Sequence, residues 1–225
     1  MTAQMMDRVI YDGHNFRLIG HQGSDLPIPQ TFDLMPAMWH TACYRGFVAT
    51  YAVAGNDLVL DGLHIGRLAA GEWKAINTIE PEIVYSEGYS VKDGEQIPKR
   101  WENGYRYTNL NEPTYFSGGL LVAREFINSL YVHMGFAKPY QFEAVIELLF
   151  HEGTLTEVID HSEKAKEWRE AVIKQGEDRK RRWQALQDEG LSNTEILQRL
   201  DEESDNSDIM KGITWRFSLD YGKWF

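Results

Sequence analysis

The sequence predicts an α+β fold: a mainly antiparallel sheet built from consecutive hairpins, with a charged helical segment near the C-terminus. Two observations carry this. Three pairs of apolar runs are punctuated by Asp-Gly, Gly-Asn-Asp and Glu-Gly turn signals. From Ser162 onward the composition turns charged and helix-forming, with two capped helix starts. Hairpins followed by helices fit an α+β domain better than a parallel sheet with alternating helices.

The organising stretch is TACYRGFVATYAVAGNDLVLDGLHI, residues 41–65. Residues 44–53 and 58–65 read as the two strands of a central hairpin. Phe47, Ala49, Tyr51 and Val53 lie on one face of the first strand and Val48 and Ala52 on the other, so cover is expected on both faces. Upstream, RVIYDGHNFRLI reads as a smaller hairpin about Asp12-Gly13, and the three prolines of GSDLPIPQTFDLMP predict an irregular crossing loop. Residues 66–77 are too short and glycine-rich for a helix. The Tyr, Gly, Asn and Pro content of residues 80–119 predicts short strands and long surface excursions. Residues 120–127 read as a strand. AVIELLFHEGTLTEVID reads as a third hairpin about Glu152-Gly153, although residues 144–150 also fit a helix.

Ser162 is the expected N-cap of a long helix. Ala165, Trp168, Val172, Trp183 and Leu186 form its apolar stripe, Gly176 is a potential interruption, and Gly190 is the stop. A second helix opens at Ser192 with a capping box to Glu195 and a staple between Leu191 and Ile196. The stripe, with Ile196 and Leu200, is expected to pack back on the sheet; a dimer through the same surface is the alternative. The acidic run 201–208 reads as a solvated linker, and GITWRFSLDYGKWF as a last strand. The chain is expected to be one domain, with a sheet-rich portion 1–161, a helical segment 162–203, an acidic linker 204–212 and a C-terminal strand 213–225.

A chain of 225 residues buries enough surface to need no disulfide or metal staple. The single cysteine, Cys43, the N-terminal MTAQMMDRVIYDG without a basic and apolar leader pattern, and the lack of a long apolar run point to a cytoplasmic protein with no membrane partner. The net charge of −11 argues against nucleic acid. Residues 162–211 carry 13 acidic and 10 basic side chains, a net of −3, leaving −8 for the remainder, so the sheet portion holds most of the acidity.

CYRGFVATYAV followed by LVLDGL, and later YFSGGLLVAREFI and ELLFHEGTL, resemble a group of uncharacterised bacterial proteins with a Cys-aromatic-Arg-Gly strand and a later Phe-x-x-Gly hairpin. The resemblance covers residues 9–160 and implies no activity. In style alone, small, acidic, cytoplasmic and α+β, the chain is also similar to toxin-neutralising immunity proteins.

His40 and Cys43 have the spacing of two metal ligands, but no second Cys/His cluster completes a site, and a buried structural cysteine accounts for Cys43. Ser117-Gly118-Gly119 matches no phosphate-binding pattern and reads as a turn or bulge. GLSNTEILQRL, with Arg179 to Arg182 upstream, has the look of a helix-turn-helix, yet the capping box explains the same residues and the acidic run behind it would repel DNA. No catalytic residue, metal ligand or cofactor is assigned. Arg45 is expected in a structural ion pair, with a ligand contact as the alternative. The residues nominated for binding are Arg45, Tyr44, His40, Trp73, Trp101, Tyr105 and Tyr107. The expected function is that of a non-enzymatic binding protein with a basic protein partner, immunity-like; the alternative is a small-molecule binder or enzyme with an aromatic-lined pocket in residues 73–115.

Overall fold

The fold is that of a computed structural model describing residues 3–69, 71–92, 95–133, 135–203, 217–219 and 221. Among these residues it is mainly sheet, mostly antiparallel, with two α-helices. β1 (Arg8–Tyr11) and β2 (His14–Gly23) form the first hairpin, with Asp12 and Gly13 both at positive φ as a type I′ turn requires. The proline-rich crossing is irregular except for one 3₁₀ turn, Pro29–Phe32. β3 (Phe47–Ala54) and β4 (Asp57–Ile65) form the central hairpin about Gly55-Asn56. The first strand opens at Phe47, later than residue 44. Gly46 sits at φ 78° in a turn where an added Cβ would fall 1.9 Å from the Ala37 carbonyl oxygen, so this tight turn needs glycine.

Residues 80–119 correct the expectation of short strands. β5 (Glu82–Lys92) and β6 (Glu95–Tyr107) form the longest hairpin among the described residues, with Lys92 facing Glu95 on either side of an Asp-Gly pair in the sequence. β7 (Glu112–Pro113) is a short addition to β4. β8 (Gly118–Phe126), β9 (Phe142–His151) and β10 (Thr154–Asp160) follow as expected, with residues 144–150 in strand.

The hydrogen-bonded order is β10-β9-β8-β2-β1-β3-β4-β6-β5. β1 runs parallel to β3; every other pair of named strands among the described residues is antiparallel. Thr154 of β10 also pairs with Asp57 of β4, so the strands from β10 to β4 curl into a barrel-like ring, and β6 with β5 leave it as a ribbon. Closure gives each ring strand an inside and an outside. Phe16, Tyr51, Leu60, Tyr107, Phe116 and Phe150 fill the inside as core. Outside, Leu121, Ala123, Phe142 and Val145 of β8 and β9 pack with Ala165, Phe217 and Tyr221. The outer face of β3 corrects the expectation of full cover: Val48 is buried, but Thr50 and Ala52 stay partly open.

α1 (Ser162–Asp188) runs unbroken through Gly176. Ser162 is its first helical residue and not its N-cap: the Ser162 hydroxyl accepts from the Val145 N–H at 3.1 Å, while Asp160 Oδ1 accepts from the Ser162 N–H at 2.8 Å. Gly190 ends the helix at φ 86°, with Gly190 donating to Gln187 and Leu191 to Leu186, a Schellman arrangement. α2 (Asn193–Glu203) has the expected capping box between Ser192 and Glu195. The stripe is divided. Trp168 packs on Tyr140 beside the barrel, whereas Leu186, Ile196 and Leu200, with Trp183 and Leu191, form a separate cluster between the helices. α2 runs through the first residues of the acidic run 201–208 to Glu203, the expected end of the helical segment, and Arg179 pairs with Asp201 at 2.9 Å. The linker proper, 204–212, and most of the C-terminal strand, 213–225, lie outside the described residues; Phe217, Ser218, Leu219 and Tyr221 are described and are not in strand.

Candidate functional site: a cleft on the outer barrel wall

Two cross-strand rows build the site. In one, Arg8 of β1 faces Thr50 of β3, which faces Gly62 of β4. In the next, Val48 of β3 faces His64 of β4, which faces Arg106 of β6. Facing residues share a side of the sheet and stand with Cβ atoms about 5 Å apart, so both rows point outward from the ring. Gly62 leaves the middle of the first row without a side chain, and a Cβ there would come 2.9 Å from the Tyr107 carbonyl oxygen. The result is a cleft of about 270 Å³ whose walls include Met5, Arg8, Val48, Thr50, His64 and Arg106.

His64 is the polar centre. Its Nε2 is buried and has no hydrogen-bond partner. Burial, and then the positive charges of Arg106 and Arg8, hold its pKa below the ordinary histidine value, so the ring is neutral at neutral pH. On its flank the Trp39 ring stands edge-on with centroids 4.5 Å apart. Trp39 is fixed by donating its Nε1 hydrogen to Asn103 at 3.2 Å and by lying over Gly66, where a Cβ would fall 2.0 Å from the indole. Beyond Trp39 a second hollow of about 510 Å³ opens among Gly66, Arg67, Glu102 and Tyr105.

The nominated residues divide. Tyr107 lines the cleft, and its hydroxyl turns into the core to donate to the Lys74 carbonyl at 2.7 Å. Tyr105 borders the second hollow; its hydrogen bond to Glu102 and partial burial push its pKa up to about 12. His40 also packs on Trp39, with ring centroids 5.2 Å apart, and its Nδ1 accepts the Ala42 N–H. Arg45 is elsewhere: it forks onto Asp7, with Nη1 to Oδ2 at 2.7 Å and a second bond from Nη2 to Oδ1, while Asp7 Oδ1 also accepts the Ala49 N–H. That is the structural ion pair expected of it. Tyr44 rims a separate apolar hollow with Met5 and Phe136, Trp73 is half-buried away from the cleft, and Trp101 stands on the ribbon against Gly88. Cys43 is buried, donates to the Phe47 carbonyl, and has a pKa raised above the ordinary thiol by burial. Among the described residues no group of His, Cys, Asp and Glu is placed to hold a metal.

Arg8, His64, Arg106 and Trp39 escaped the sequence reading. They are separated by up to 98 positions in the chain, and only the strand register makes them neighbours. The readable signal was weak: outward alternation at Arg106 within YRY and at His64 within LHI.

No protein-family model, curated protein or solved structure matches the chain.

Proposed function

We propose that this is a non-enzymatic binding protein that takes a small ligand in the outer-wall cleft beside Trp39. The single observation that carries the reading is the meeting of Arg8, His64 and Arg106, from three different strands, in the lining of one hollow. Two guanidinium groups beside an apolar wall of Met5 and Val48 give a ligand both charged hydrogen bonds and apolar contact. Burial holds the chain's one thiol protonated, so Cys43 is not offered as a nucleophile. A fragment panel titrated into isotope-labelled protein should shift the amides of Thr50, Gly62, His64 and Arg106 in a saturable way. Saturable shifts confined to other surfaces would overturn the reading.

A second reading, recognition of a basic protein partner, is supported by the ribbon. β4 pairs with β6 only from Tyr105 to Tyr107, and a free two-stranded ribbon is marginal in water. Tyr89, 68% exposed, and Trp101, 44% exposed, offer it a surface to cover. The net charge of −11 favours a cationic partner. In this reading an added basic polypeptide shifts ribbon amides, and the effect fades with salt. The absence of a helix long and apolar enough to cross a membrane, among the described residues, is compatible with both readings.

A further inference from the structure

Resting on the small-ligand reading and extending it to a ligand class, we infer that the cleft takes a small organic carboxylate. Its –COO⁻ group lies between the Arg8 and Arg106 guanidinium groups, and its apolar body lies against Met5 and Val48. In a chain of net charge −11, two arginines converging on one small hollow are a local reversal of sign. Arg8 makes no ion pair among the described residues, and Arg106 has only a 3.5 Å approach to Glu82 with both side chains well exposed. Exposed pairs of this kind hold little free energy, so both guanidinium groups are free to bind an anion.

The charge of the walls selects the anion. Arg8 and Arg106 are opposed by one carboxylate in the lining, Asp61 on β4, so the lining is net positive by a single charge. A monoanion balances it; a phosphate dianion overshoots by one charge. Thr50, partly open in the same lining, adds a hydroxyl that can donate to a carboxylate oxygen. The volume sets the size. About 270 Å³ lies below the usual range for drug-sized ligands, so the acid is of benzoate size or smaller. Gly62 is what makes this space, because any side chain at that position would occupy it.

The test titrates the intact protein with benzoate, with benzyl alcohol as the neutral match, and with inorganic phosphate, following the His64 ring by NMR and the heat by calorimetry. Benzoate should saturate the His64 signal, and benzyl alcohol should bind at least about tenfold more weakly, as should benzoate to Arg8→Gln and to Arg106→Gln. Both arginines are exposed, so the variants should keep the wild-type melting curve. Benzyl alcohol binding as tightly as benzoate would overturn the carboxylate inference while leaving the cleft reading standing. Phosphate binding tighter than benzoate would overturn the monoanion argument. No response at His64 to any of the three would remove the inference, and a fragment panel equally silent there would remove the small-ligand reading with it.

Discussion

Glu147 shows how far a single side chain departs from what its letter predicts. It lies on β9, fully buried, on the outer side of the ring. His161 Nε2 stands 2.8 Å from one of its oxygens, the Ser218 N–H donates to the same oxygen at 3.0 Å, and the Tyr221 hydroxyl donates to the other at 3.0 Å. Burial alone would raise its pKa, but these donors outweigh burial and hold the carboxyl below the ordinary value of 4.5. A depressed folded-state pKa means stability that is fully present above about 4.5 and is lost as pH falls through the folded value. Glu147→Gln should therefore cost about 1–3 kcal/mol at neutral pH, since the donors lose a charged acceptor. The same variant should show a shallower loss of stability between pH 5 and 3, a window about that ordinary value, in melting curves of the two proteins. Equal slopes would show that the carboxylate is not what fastens the C-terminal segment. Within ELLF nothing marks Glu147 as buried, because its partners come from 14 to 74 positions away.

At the scale of the element, α1 is one helix serving two clusters. Its first turns bury Ala165, Trp168 and Arg169 beside the barrel, and its last turn gives Leu186 to α2. Periodicity located the apolar stripe but not its partners, since a 3.6-residue repeat marks a face without saying what lies opposite. The Ser192 capping box and Gly190 stop were legible because both are local hydrogen-bond chemistry. Trp168→Ala should destabilise the whole fold by about 3–5 kcal/mol in denaturant unfolding. Ile196→Ala should chiefly lower hydrogen-exchange protection of α2 and leave the barrel amides as they were. If Ile196→Ala instead lowered protection evenly across β8 and β9, the two clusters would be one cooperative unit.

For the whole molecule, the decisive event is closure. The parallel pairing of β1 with β3 and the touch of β10 on β4 turn a row of hairpins into a ring with a filled interior. The ribbon is left outside that ring: beyond its pairing with β4 it runs through residues 85–92, roughly 25 Å at about 3.3 Å per residue. Its ladder is local and its aromatic side chains are largely wet, so it adds little to the core. Excising residues 86–101 in favour of a short turn should leave the thermal midpoint of the barrel unchanged. A fall comparable to that of Trp168→Ala would place the ribbon within the cooperative fold.

Local structure is legible along the chain: the hairpins about Asp12-Gly13 and Glu152-Gly153, the capping box of α2, the burial of Cys43 and the pairing duty of Arg45. Each follows from a turn conformation, a cap or the cost of burying a charge, which act over a few residues or within one side chain. Within residues 80–119, read as short strands, polar and glycine-rich composition concealed the length of the ladder over 82–107, because backbone pairing in a solvated ribbon asks little of side chains. That Arg8, His64 and Arg106 share a cleft follows from the pairing of distant strands. Register across β1, β3, β4 and β6 is fixed by bulges, such as the one between Thr50 and Tyr51, and by ring closure. A slip of one residue would turn all three inward, so their meeting is a property of the closed sheet and is not written in any segment of the chain.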